Sequence, residues 1–260
     1  MKRLTYIIFL SLVMLMSAPA AGKDTDIAVP DPVLVDIAES YMPWQSAEFN
    51  GKLRCDRLPL SPTVRIYMEC DSLVQISLRA PLVGEVGRLE LSATRLTAVN
   101  KLKRTYCSEE TSRLLELYPG LIRDIQNLLL ARVVVFGSGP LGHDNFARVE
   151  VEEDREGGWM LIPEVKGNAL PLKYGYIVGA GGRTRALAAA LPGKGDLEVK
   201  YDYPGRGETI DIRFDNGRKK PLEATIDFTS VKWGGSKMPP LKLDNYSRMS
   251  VKEFMQSLGK

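Results

Sequence analysis

"RVVVFGSGPLGHDNFARVEVEEDREGGW", residues 132–159, admits two readings that lead to different folds. Gly137, Gly139 and Gly142 follow an apolar run at the spacing of a dinucleotide-binding loop. That spacing works only where the glycines close a strand-to-helix turn, so that free N–H groups of the new helix can hold a pyrophosphate. No helix pattern follows them. Phe146, Val149 and Val151 do not recur at helical spacing, and the two valines alternate with glutamates up to Gly157-Gly158, which reads as a strand ending in a turn. Pro140 lacks an N–H where the loop would have to offer one. The stretch is therefore read as a Gly-rich surface loop leading into a strand, and the chain as mainly β rather than nucleotide-binding α/β.

Upstream, "AEFNGKLRCDRLPLSPTVRIYMEC" (47–70) alternates: Ala47, Phe49, Gly51, Leu53 and Cys55 share one face, and Val64, Ile66, Met68 and Cys70 another. This reads as a hairpin turning near Leu58 to Pro62. Such a turn sets Cys55 opposite about Val64 and Cys70 opposite about Phe49, some 15–20 Å apart at ~3.3 Å per residue, which argues against a bridge between them. Both are read as small buried apolar residues, and Cys107 as a strand-end residue of open redox state.

Before the hairpin, Asp31 and Pro32 offer an N-cap and a first-turn proline. Leu34, Ile37, Ala38 and Tyr41 then follow at helical spacing and predict a helix ending before Pro43. After it, "LVQISLRAPLVGEVGRLELSATRLTAVNKLKRTYC" (73–107) reads as three short strands of an antiparallel meander. A new pattern starts at Ser108-Glu109-Glu110. There Leu114, Leu117, Leu121, Ile122, Ile125, Leu128 and Leu129 trace an apolar stripe over two helices broken at Pro119-Gly120. Strand signals return in "WMLIPEV", "KYGYIVGA", "RALAAAL", "DLEVKYDY", "ETIDIRF" and "LEATIDFTSVKW", and Ser250 with Glu253 forms a capping box before Phe254. The predicted architecture is α+β and mainly β: one antiparallel sheet of roughly ten strands, curled because it is so long, with a helical pair inserted midway to cover its concave face.

The first 22 residues, "MKRLTYIIFLSLVMLMSAPAAG", join Lys2 and Arg3 to an apolar stretch and Ala18-Pro19-Ala20, the pattern of a secretory signal peptide. Residues 23–260 are then one domain, and losing Lys2 and Arg3 takes the formal charge from +3 to +1. So small an excess gives no reason to expect nucleic acid as a partner.

Catalytic chemistry finds little support. His143 is the one histidine, and its neighbour Asp144 is not placed at the ring nitrogen by adjacency alone. There is no CxxC motif and no second histidine for a metal site, and the carboxylates of "VEVEEDREGG" read as a solvated face. The chain is read as a non-enzyme without cofactor or metal. Glu85 and Arg88 interrupt an apolar strand; three apart, they should point to opposite faces and not pair. The inward one needs a partner, either a structural tie to the helical cover or a ligand.

"FNGKLRCD", "ISLRAPLVGEVGRLELSATRLTAVNKLKRTYC", the leucine-rich segment and "LEVKYDY" resemble a family of exported envelope proteins of unknown function, over roughly residues 44 to 230. That family is similar in fold to the periplasmic lipoprotein carrier and the outer-membrane lipoprotein receptor. The resemblance implies an incompletely closed β-barrel with helices as a lid over a cavity that holds acyl chains. Members often carry a lipobox cysteine, whereas the first cysteine here is Cys55, which points to a soluble periplasmic shuttle. The residues expected to contact lipid are Leu114, Leu117, Leu121, Ile125 and Leu128 on the lid, with Phe49, Leu53, Val64, Ile66 and Met68 on the sheet. The competing expectation is an envelope scaffold or interaction protein whose core is filled by these same residues.

Overall fold

A computed structural model describes residues 31–56, 61–164, 173–203, 207–217 and 220–258; the stretch read as a signal peptide and the first part, 58–60, of the turn predicted near Leu58 to Pro62 lie outside them. Helix α1 (Pro32–Glu39) starts as predicted, with the Asp31 carboxylate accepting from Val33 N at 2.8 Å. The meander follows as β1 (Ser46–Cys55), β2 (Thr63–Glu69), β3 (Leu73–Ala80), β4 (Gly84–Ser92), β5 (Arg95–Asn100) and β6 (Thr105–Glu110). Residues 73–107 therefore reach into four strands rather than three. Ser108, Glu109 and Glu110 finish β6 instead of opening a helix, because each is paired to β5.

Helices α2 (Ser112–Leu117) and α3 (Leu121–Leu129) break at Pro119-Gly120, as the stripe predicts. A two-stranded hairpin, β7 (Val134–Val135) and β8 (Gly139–Pro140), completes the insertion. The chain then runs through β9 (Val149–Glu153), β10 (Trp159–Pro163), β11 (Lys173–Val178), β12 (Thr184–Leu191), β13 (Gly195–Asp202), β14 (Glu208–Asp215), β15 (Leu222–Trp233), β16 (Ser247–Arg248) and helix α4 (Val251–Leu258). The capping box at α4 forms: Ser250 Oγ donates to Glu253 Oε2 at 2.7 Å, and Glu253 N donates to Ser250 Oγ at 3.3 Å.

Among the described residues the strands make one curled, unclosed sheet of fourteen, in the order β16-β6-β5-β4-β3-β2-β1-β15-β14-β13-β12-β11-β10-β9. All neighbours are antiparallel except β16 with β6. The count exceeds ten because β6 and the short β16 add to the expected strands, and β1 pairs with β15, which joins the first meander to the second. Inward side chains align across the first meander, with Phe49 opposite Ile66, Ile66 opposite Ile76, and Ile76 opposite Leu89, and across the seam Leu53 lies opposite Ile226.

Register also corrects the cysteines. Phe49 pairs with Ile66 and Gly51 with Val64, so Cys55 lies beyond the β1–β2 pairing and faces Ala224 of β15. Cys70 N bonds to Gln45 O at the far end of the hairpin, and the Cys70 side chain is exposed rather than buried. The two cysteines remain at opposite ends, as predicted. Cys107 is buried, and burial pushes its thiol up to about 11.

Candidate functional site

The concave face of the sheet is mainly apolar. Phe49, Leu53, Val64, Ile66 and Met68 are all buried there in one cluster, with Leu187, Val199 and Ile210 from the second meander. The predicted floor residues are thus brought together. Helix α3 lies over the floor, with Ile122 in the main cluster and Ile125 and Leu128 half-buried against it. Leu121 instead packs in a small cluster with Tyr118, beside Phe136. Leu114 and Leu117 belong to α2, and their side chains lie outside the described residues.

The apolar run that leads into the Gly-rich loop is sealed under the sheet, while Gly137, His143 and Asp144 of the loop itself are exposed. Val133, Val134 and Val135 are each 0 % exposed. Gly139 has φ +96°, a backbone conformation that favours glycine, and closes the turn of this short hairpin. The backbone of this insert has only a two-residue ladder, and Pro140 has no N–H to add to it. Tyrosine hydroxyls take the place of strand partners. Val133 N donates to Tyr41 Oη at 2.9 Å and Phe136 N to Tyr174 Oη at 2.9 Å. Gly137 N donates to Tyr118 Oη at 2.9 Å, and Tyr176 Oη donates to Val134 O at 3.1 Å. Tyr201 Oη adds a bond to Leu128 O at 3.0 Å. A buried backbone group left unpaired costs about 1–3 kcal/mol, so these bonds are what allow the valine run, with so short a ladder, to be buried.

Two polar residues on α3 complete the attachment. Gln126 is fully buried; its Nε2 donates to Glu69 O and to Leu73 O (2.9 Å), and its Oε1 accepts from Asp71 N (2.9 Å). Asp124 is also fully buried; its Oδ2 accepts from Tyr118 Oη and from Gly137 N at 3.4 Å, while Oδ1 has no partner. Burial pushes its carboxyl up to about 6, against the bonds from Tyr118 and Gly137 and the nearby Arg123 charge, which all lower it.

Glu85 and Arg88 do pair, contrary to the simple alternation. Leu78 lies opposite Gly87 but Arg79 opposite Glu85, so Val86 is an extra residue, and this bulge turns Glu85 onto the face of Arg88. Arg88 Nε and Nη2 donate to the two Glu85 oxygens at 2.7 and 3.1 Å, and Lys101 bonds the same carboxylate. This cluster lies on the outer face, away from the helices. Arg88 Nη1 donates at 2.6 Å to the carbonyl of Pro239, in a strap over residues 234–246 that crosses β2 to β5. The tie is to this strap and not to the helical cover.

His143 is exposed, its ring 5.0 Å from Phe146, and no helix among the described residues is long and apolar enough to cross a membrane.

No family model and no curated protein matches the sequence. The fold is similar to that of a LolA superfamily protein. That structure, from Nitrosomonas europaea, is 12 % identical and aligns over 82 % of this chain and 96 % of its own, with a TM-score of 0.46. A domain from Vibrio parahaemolyticus described as an outer membrane lipoprotein-sorting protein is 8 % identical over 86 % of this chain and 97 % of its own, at 0.45. An uncharacterized conserved protein from Thermus thermophilus is 10 % identical over 84 % of this chain and 97 % of its own, at 0.35.

Sequence reasoning missed the tyrosines and the polar pair on α3. The available signal was the inward register of "KYGYIV" and "EVKYDY", which sets Tyr174, Tyr176 and Tyr201 on the concave face with hydroxyls that need partners.

Proposed function

We propose that the chain is an exported, non-enzymatic carrier that holds the acyl chain of a lipid or lipoprotein against the concave face, with residues 1–22 as a signal peptide and 23–260 as one lipoprotein-carrier-like domain. One observation carries this reading. The apolar floor is covered by helices and one short hairpin: Leu34 and Ile37 of α1 and Phe254 of α4 share its cluster, and the rest of the cover is one contiguous insert, 112–141, no residue of which pairs with the large sheet. Phe49, Leu53, Val64, Ile66 and Met68 then form the lipid-binding floor, and Leu114, Leu117, Leu121, Ile125 and Leu128 the lid. Each methylene buried contributes about 0.8 kcal/mol, so a chain of about ten supplies about 8 kcal/mol toward displacing the insert.

The full burial of Val133 to Val135 favours a second reading, a periplasmic scaffold or interaction protein whose insert never leaves. Native mass spectrometry with lipid extraction, on mature protein purified from its own periplasm, separates the two. The carrier reading expects a bound lipid or acylated peptide that Ile125→Glu, at a half-buried position, abolishes while circular dichroism stays unchanged. A clean apo mass with no uptake of a fluorescent fatty acid leaves the scaffold.

A further inference from the structure

The outer face of the first meander holds a cavity of about 570 Å³ between sheet and strap, independent of the concave face. Its floor is Gln75, Glu90 and Thr97, and its wall includes Met238, Pro240 and Leu243. The floor residues lie directly opposite one another on β3, β4 and β5, and Ser108 of β6 continues the row. Apolar walls around a few converging polar groups, at this volume, are what small-molecule sites have in common.

The chemistry of the row selects the ligand. Gln75 Nε2 donates to Glu90 Oε1 at 3.0 Å, and Arg88 Nη1 reaches the same oxygen at 3.5 Å. Thr97 Oγ1 is bonded to Ser108 Oγ at 3.0 Å, and Gln75 Oε1 accepts from Met238 N at 2.9 Å. Among the described residues no donor is bonded to Glu90 Oε2. Arg88 divides its guanidinium between Glu85 and Glu90 Oε1, Lys101 bonds Glu85, and Lys237, which lines the cavity, reaches Glu69 at 3.5 Å, so Glu90 Oε2 is the carboxylate oxygen left facing the cavity. A charged acceptor with an unused oxygen, floored by satisfied dipoles and walled by apolar groups, asks for a donor that brings a positive charge.

We infer that this cavity binds a small amphiphilic cation, whose primary ammonium donates to Glu90 Oε2 while an apolar stem lies against Met238, Pro240 and Leu243. An anion meets the Glu90 carboxylate, and a neutral alcohol forgoes the charge-assisted bond.

The test uses full-length mature protein with methyl-labelled methionine, titrated with n-hexylammonium, n-hexanol and hexanoate at equal ionic strength and followed by NMR. The Met238 methyl signal is identified by its disappearance in Met238→Leu. A saturable Met238 shift is expected with hexylammonium, at least tenfold weaker with hexanol and absent with hexanoate. Glu90→Gln keeps an acceptor for Gln75 and is expected to lower hexylammonium affinity to that of hexanol, with the other methionine signals unmoved. Absence of a saturable shift overturns the inference, as does equal binding of hexanol or an undiminished affinity in Glu90→Gln. The three-probe comparison on the unaltered protein decides the matter even if that variant folds poorly.

Discussion

The two faces of the first meander are covered by different physics. The inner cover is a compact insert that buries valines and leucines and ties its backbone to the sheet through tyrosine hydroxyls and Gln126. The outer cover is an extended strap held by side chains of the sheet. Arg65 donates to Ser236 O at 2.8 Å, Gln75 accepts from Met238 N, and Arg88 donates to Pro239 O. Apolar burial is non-directional and closes space, whereas charged hydrogen bonds fix a few points and leave room between them. That difference explains why Val133 to Val135 are sealed while an open cavity lies under the strap.

The largest expected effect breaks this comparison at its strongest point. Val134→Asp buries an unpaired charge in the insert and is expected to cost more than about 4 kcal/mol, or to prevent folding. Leu243→Asp makes the same change in the strap and is expected to cost under about 1 kcal/mol. Urea denaturation of both variants measures the contrast, and similar losses would erase it.

Arg88→Ala comes next. It removes the strap's carbonyl donor and leaves Glu85, largely buried, with Lys101 as its charged partner, for a loss of about 2–4 kcal/mol. Hydrogen exchange at Met238 N should accelerate while the amides of Val133 and Phe136 keep their protection. Acceleration in the insert would mean that the two covers are coupled.

The smallest effect is a pH dependence inside the inner cover. Asp124 has its carboxyl pushed up to about 6 by burial, from about 3.8 in the unfolded chain, so the folded state takes up a proton more readily. The resulting stability is complete below about pH 4 and lost as pH rises through about 6, a change of up to about 3 kcal/mol. Glu208, pushed up by burial from about 4.5 to about 7, adds a loss that runs over about pH 4.5 to 7. Asp124→Asn, neutral throughout, is expected to make the fall in thermal stability between about pH 4 and 6 about half as steep and to leave the fall between about 6 and 7 unchanged. A variant profile parallel to the parent's would refute the assignment.

Much of the fold was legible in the sequence because its signals act over a few residues. Alternation marked β1, β2 and the second meander, even in the alanine-rich β12, and the Asp31 cap and the Ser250/Glu253 box marked helix starts. The candidate floor was legible for the same reason. Glu85 and Arg88 were misread because a single bulged residue, set by pairing with β3, reverses the alternation between them. The burial of Val133 to Val135 before the Gly-rich loop was not legible because the groups that satisfy their backbone come from elsewhere: Tyr176 bonds to Val134 from 42 residues away and Tyr41 to Val133 from 92.

By itself, then, the sequence determined most of the strands, the helical pair with its break at Pro119-Gly120, the helix starts at Asp31 and Ser250, and the apolar side of the regularly alternating strands, since periodicity and capping need only near neighbours. Only the tertiary structure decided which segment fills the concave face, that β1 joins β15 to make a sheet of fourteen, and that a strap covers the outer face. These depend on partners such as Arg88 and Pro239, 151 residues apart, and a buried polar group takes whichever partner the packed fold brings to it.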